Sequence, residues 1–248
     1  METLDLKLPR SWQELSDRQL MDVYGALALG YGSEALRTHC LVKWSGMEIA
    51  CRLEDAVIVR IGKKEYTLTY GQIVGLLPFL SFLDEMPDMP VRPSRIGNHK
   101  ALPADFQGVP FSTLLIADNL HAGFIETREK SPQEKLATVL YSSPWKQPPD
   151  EAVRISLLYW MTSLKRFLSL RYPHIYRQPS KVTPDNLLSS AKSTGRRMQE
   201  AMDAQIRALT KGDVTKEKEV LALDCWRALT ELDALAREAE EIRRISHS

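Results

Sequence analysis

Residues 211–244 read KGDVTKEKEVLALDCWRALTELDALAREAEEIRR. Leu221, Cys225, Ala228, Leu232, Leu235, Ala239 and Ile242 recur at alternating four- and three-residue steps. That spacing lays one apolar seam along a helix, with charge over much of the remaining surface. A continuous helix from about 216 to 244 is expected, roughly 40 Å long at 1.5 Å per residue. Such a helix cannot bury its seam alone and needs a neighbour in the same chain or another.

The segment before it supplies a neighbour. Thr183 and Pro184 read as the cap and first turn of a helix to about Lys211, with Leu187, Leu188, Ala191, Met198, Met202, Ile206 and Leu209 as a thinner stripe. Gly212 suits the residue past a helix end, and Asp213 or Thr215 can cap the next. Two helices of matched length joined by this turn make an antiparallel αα-hairpin over 183–245.

Upstream, a mainly α body is expected over 1–176. Ser16 and Gln19 form a capping-box pattern ahead of Leu20, Val23, Tyr24 and Leu27, and Ser33 is read as the cap of a second helix. Ala56–Ile61 is rich in β-branched residues, Gly62 begins a turn, and 65–70 alternates, so a β-hairpin is expected over about 56–70. A third strand is open over 47–53. An apolar helix over 72–85 carries an awkward Pro78. Five prolines punctuate 86–110, which reads as a long connector, either an ordered surface loop or an arm for a partner. Ser131–Glu134 reads as a capping box with proline at the first helical position. Val153, Leu157, Trp160, Met161, Leu164 and Leu168 mark a core helix ending before Pro173.

Composition bounds the function. The chain has 248 residues, 44% hydrophobic and 26% charged, with a net charge of +1. A sizeable core is available, and no global field recruits nucleic acid or membrane. The start of the chain lacks the basic-then-apolar pattern of a secretory signal, and no apolar window is long enough to span a bilayer. Cys40, Cys51 and Cys225 have no metal-type spacing and read as reduced thiols packed as small hydrophobes, with a Cys40–Cys51 pairing open only if the fold brings the two together. A soluble, intracellular chain is the corresponding expectation.

Catalytic patterns are missing. The five histidines include no HExxH, there is no P-loop and no GxSxG. Asp118, His121 and His174 are the candidates for a dispersed enzymatic site, against the plainer reading of ordinary polar contacts. The expectation is a non-enzymatic chain with no cofactor and no metal. Ten Lys/Arg against three Asp/Glu over 165–211 leave a surplus of seven positive charges. Lys192, Arg196, Arg197 and Arg207 are therefore the candidate phosphate contacts of an alternative reading, a nucleic-acid-binding regulator. Aromatic residues are absent from 187–211, which argues against base stacking there. The preferred interface set is Leu221, Cys225, Leu229, Leu232, Leu235 and Ile242, together with Trp226, which lies off the seam and reads either as packed on the body, the plainer reading, or as the anchor of a second contact face.

The entry LPRSWQELSDRQL, the central GVPF and the run ALTKGDVTKEKEVLALDCWRALTELDALAREAEE resemble a set of uncharacterised proteins from tailed bacteriophages and prophages of gut bacteria. The resemblance runs through most of the chain and is strongest at its end. That set has no assigned activity, so it transfers no functional residue. It implies a genetic context of structural and tail-assembly genes. The resulting expectation is a phage or prophage structural or morphogenesis protein acting through protein–protein contacts, with a protein partner or a second copy of itself.

Overall fold

The computed structural model describes residues 6–141, 145–176 and 194–246, and along 194–198 the backbone alone. The chain is mainly helical with a small antiparallel sheet, and its described residues form two compact units. One unit takes the chain to Pro87, with Val91–Pro93 and Asp150–Tyr159. The other takes Asp88–Pro90, Ser94–Pro149 and the residues from Trp160 onward. The division differs from a body ending at 176 followed by a separate hairpin, because the C-terminal helices cluster with 94–149.

In the first unit, α1 (Asp17–Ala28) starts with the expected reciprocal box: Ser16 accepts from the Gln19 amide, and the Gln19 side chain accepts from the Ser16 amide. α2 (Ser33–Ser45) differs from expectation. Gly32 holds its cap position without a side-chain bond, and Ser33 is the first helical residue. β1 (Glu48–Arg52), β2 (Ala56–Ile61) and β3 (Lys64–Thr69) form a sheet in the order β1-β2-β3. A bulge between Ile49 and Cys51 interrupts the β1 register. It places Glu48 opposite Arg60 and Arg52 opposite Val57, and so on opposite faces. β1 is an exposed edge, blunted by this bulge and by its terminal charges.

The helix expected over 72–85 is two pieces. α3 (Tyr70–Leu76) is capped by a Thr69–Gln72 box, and the chain then tightens to 3-10 geometry over Leu77–Asp84. Pro78 lacks the amide that an α-helix would use, and the tighter turn begins beside it. Trp12 fixes this segment by donating Nε1 to the carbonyls of Phe82 and Glu85 at 2.9 and 3.0 Å. Trp12, Leu20, Val23, Tyr24, Leu36, Leu41, Leu80 and Leu83 are core residues here.

The second unit contains α4 (Phe111–Thr127), α5 (Lys130–Leu140), most of the core face of α6 (Glu151–Arg171), and then α7 (Thr194–Thr210), α8 (Glu217–Ala222) and α9 (Cys225–Ser246). A two-residue ribbon, β4 (Arg95–Ile96) with β5 (His99–Lys100), interrupts the proline-rich stretch. α5 starts one residue before Ser131, with Glu129 at the cap position and no side-chain cap. Ser131 is therefore not the cap, contrary to its pattern. The Glu129 amide donates to Thr127 Oγ1, so the preceding turn sets the start, and Pro132 falls in the first turn, where an amide is not required. α4 packs against α5, α7, α8 and α9. Phe106, Phe111, Leu114, Leu136, Leu140, Trp160, Leu164, Leu229 and Leu232 are among its buried residues.

The C-terminal helix pair is present. The caps expected at Thr183 and Pro184 lie outside the described residues, as does Lys192. Gly212 has φ +82°, and Asp213 accepts from the Thr215 amide, so the turn forms as the sequence indicates. The single long helix does not form. It is broken at Leu223–Asp224 into α8 and α9, and Leu223 leaves helical geometry with ψ 149°. The cause lies far away in the chain. The Leu223 carbonyl accepts from the Phe111 amide at 2.8 Å, and the Val109 carbonyl accepts from the Cys225 amide at 2.8 Å. This antiparallel bridge withdraws backbone groups that a continuous helix would use.

Candidate interaction surface

α9 is anchored at its start by Asp224. The carboxylate accepts from the Arg227 amide at 3.1 Å and from the Gly108 amide at 2.7 Å. One side chain thus caps the helix and holds the 103–110 loop. That loop is an ordered part of the unit. Trp160 Nε1 donates to the Ala104 carbonyl at 2.7 Å, and Trp226 Nε1 to the Asp105 carbonyl at 2.8 Å. Phe106, buried with φ +62°, stacks on Trp160 at 5.6 Å between centroids. A bulky residue in the left-handed region is strained, and the surrounding bonds maintain it.

Trp226 works inside the unit. Its ring contacts Phe167 at 6.2 Å and lies under the Arg171 guanidinium at 4.1 Å. Tyr172 donates its hydroxyl to the Trp226 carbonyl at 3.3 Å. These contacts hold the half-buried ring within the unit.

The seam splits into two parts. Cys225, Ala228, Leu229 and Leu232 are buried, and α9 packs on α4 and α7. Leu221 and Leu235 are half-buried. Farther along, the 174–175 turn staples the opposite stripe of α9. The amides of His174 and Ile175 donate to Asp233 Oδ1 at 2.8 and 3.2 Å, and His174 Nδ1 lies 3.2 Å from Glu240. Beyond that staple the seam is bare. Ala239 is exposed, Ile242 is 68% exposed and Ile245 73%. Two turns of ordered helix thus present branched apolar side chains to water.

The rival sites come out differently. Asp118 lies 2.5 Å from Lys165 Nζ. His121, buried on the same helix, has no hydrogen-bond partner for Nδ1 among the described residues. Burial first, and then the Lys165 charge, lowers its pKa to about 4, with Asp118 opposing. His174 instead bonds with Asp233 and Glu240, and among the described residues no bond or ion pair joins it to Asp118 or His121. No group of three His, Cys, Asp or Glu suited to a metal occurs among the described residues. Of the phosphate candidates, Lys192 and the side chains of Arg196 and Arg197 lie outside the described residues. Arg207 is exposed and shares a ≈ 380 Å³ cleft with Asp203 and Glu217, whose charges oppose an incoming phosphate. Cys40 and Cys225 are buried as expected, whereas Cys51 is exposed on β1. In the first unit a groove of ≈ 1010 Å³ runs along α2, lined by Tyr31, Glu34, Thr38, His39, Lys43 and Met47. Sequence periodicity did not reveal it, because its lining mixes charged residues with Ala35 and Val42 on α2 and takes Tyr31 and Met47 from outside that helix. No described helix is long and apolar enough to cross a membrane.

No protein-family model, no curated protein and no solved structure matches the chain.

Proposed function

We propose that this chain is a non-enzymatic structural or morphogenesis protein of a tailed bacteriophage or prophage, with tail assembly as its setting, and that it works by binding other protein chains. The observation that carries the binding part is the bare end of the α9 seam, where Ala239 and Ile242 stand exposed on an ordered helix, with Ile245 exposed beside them. Isolated surface apolar residues are ordinary, but a continuation of the core seam beyond its cover is what a helical partner would occupy. The phage setting comes from the sequence resemblance described above.

The test is binding between the purified chain and each purified product of the genes flanking its own, measured by size-exclusion chromatography with light scattering. At least one defined complex, or self-association, is expected, and Ile242→Glu weakens it at least tenfold. A chain that stays monomeric and binds none of those products ends the reading.

A further inference from the structure

The bare part of the seam also carries information about what covers it. With Leu232 and Ala239 as a positions, and Leu235 and Ile242 as d positions, the end of α9 reads as one heptad of a coiled-coil seam. Glu238 then falls at g and Arg243 at the following e. Both are exposed. Among the described residues neither takes part in an ion pair.

In a parallel two-helix pairing, a g residue faces the e residue five positions later on the other helix. Glu238 to Arg243 is that separation, so two parallel copies place opposite charges together on both flanks of the seam. An antiparallel pairing sets g against g and e against e. It would bring Glu238 toward the same flank of its twin and Arg243 against Arg243, like against like. The flanks therefore select both a partner and a direction.

We infer that the exposed end of α9 pairs with the same segment of a second copy of this chain, in parallel and in register, through Leu235, Ala239 and Ile242, with reciprocal Glu238–Arg243 ion pairs. This inference rests on the proposed assembly reading and names the partner of that surface. The intramolecular half of the seam remains with α4 and α7. His174, on the far stripe through Glu240, leaves the pairing face open. The arrangement is isologous, so each copy gives and receives the same contacts.

Cross-linking in the full chain tests the geometry. Cys51→Ser removes the exposed thiol, while Cys40 and Cys225 are buried. In that background Ile242→Cys, oxidised mildly, is expected to give a disulfide-linked dimer. Arg237→Cys, on the opposite side of α9, gives little. Sedimentation then reads the charges: Glu238→Arg or Arg243→Glu alone weakens association about fivefold, and the double reversal restores it. A dimer that persists but fails to cross-link through 242, or that ignores the charge reversals, overturns the parallel pairing and leaves the assembly reading standing. A chain monomeric up to millimolar concentration overturns the pairing as well. The assembly reading would then depend on the flanking-gene products alone.

Discussion

At the scale of single residues, His121 has the clearest consequence for stability. It is buried on α4 with no Nδ1 partner among the described residues, with Asp118 on its own helix and Lys165 on α6 as its charged neighbours. Its pKa falls from 6.5 to about 4, so the folded chain holds it neutral where the unfolded chain takes up a proton. Its contribution is full above pH 6.5 and is lost as pH falls toward 4. The loss is on the order of 3 kcal/mol at 1.36 kcal/mol per pH unit. Urea unfolding of the native chain and of His121→Leu at pH 7, 5.5 and 4.5 checks this. The variant should lose the part of the acid slope that His121 supplies. Equal slopes would show that the imidazole is not the group responsible. The i, i+3 relation of Asp118 and His121 was legible in the sequence, but Lys165 was not, since only the fold brings that cation of α6 to Asp118.

Trp226 makes the same point in another way. Its heptad position lies off the seam, where the sequence favoured packing on the body over docking without naming a contact. The bonds to Asp105 and Tyr172 and the Arg171 stack decide for packing. Trp226→Phe, which keeps a ring but loses the indole donor, should cost about 1 kcal/mol. Trp226→Ala should cost about 3 kcal/mol. Both values are read from denaturant midpoints. Neither change should alter self-association once folding is corrected for, because the ring faces the 103–110 loop. A Trp226→Ala protein that folds normally but no longer associates would reverse that assignment.

At the scale of elements, local signals succeeded where one segment settles its own geometry. The Ser16–Gln19 box, the Gly212 turn and the β2–β3 hairpin follow from neighbouring residues alone. They failed where distant backbone competes. The seam of 221–242 is unbroken in sequence, yet α8 and α9 separate because Phe111 and Val109 claim the amide and carbonyl groups around Leu223 and Cys225. Nothing within a window of residues 216–244 encodes that competition. Ser131 failed for a related reason: Thr127 of the preceding turn takes the Glu129 amide, and the helix begins at Lys130 without a side-chain cap. Asp224 measures the strength of the break. Asp224→Ala removes the α9 cap and the acceptor for the Gly108 amide together, and should cost about 2 kcal/mol. Hydrogen exchange should then rise at Gly108 and in the first turn of α9 before anywhere else. If the cost is negligible and exchange is unchanged, the bridge at 109–111 alone sets the helix start.

At the scale of the whole molecule, the pairing proposed for the bare seam has an expected strength as well as a direction. One heptad offers few apolar side chains, and a pairing confined to it buries less than the roughly 1,200 Å² at the low end of stable specific interfaces. Area of that size leaves little surplus over the cost of association. The free 28.2 kDa chain should therefore be mainly monomeric at micromolar concentration and shift toward twice that mass only at hundreds of micromolar. Weakness of this kind suits a chain held in an array, where tethering raises the effective local concentration to roughly millimolar. The apolar contacts should persist in 1 M salt, while the Glu238–Arg243 pairs are screened over a Debye length of about 3 Å. Light scattering across a concentration series, at low and high salt, gives the measurement. A modest loss of association with salt fits a seam flanked by ion pairs. Complete loss would mean that charge, with little help from Ile242, holds the copies together. A nanomolar dimer would require a far larger buried surface than the end of α9 provides, and would move the interface to another face of the chain.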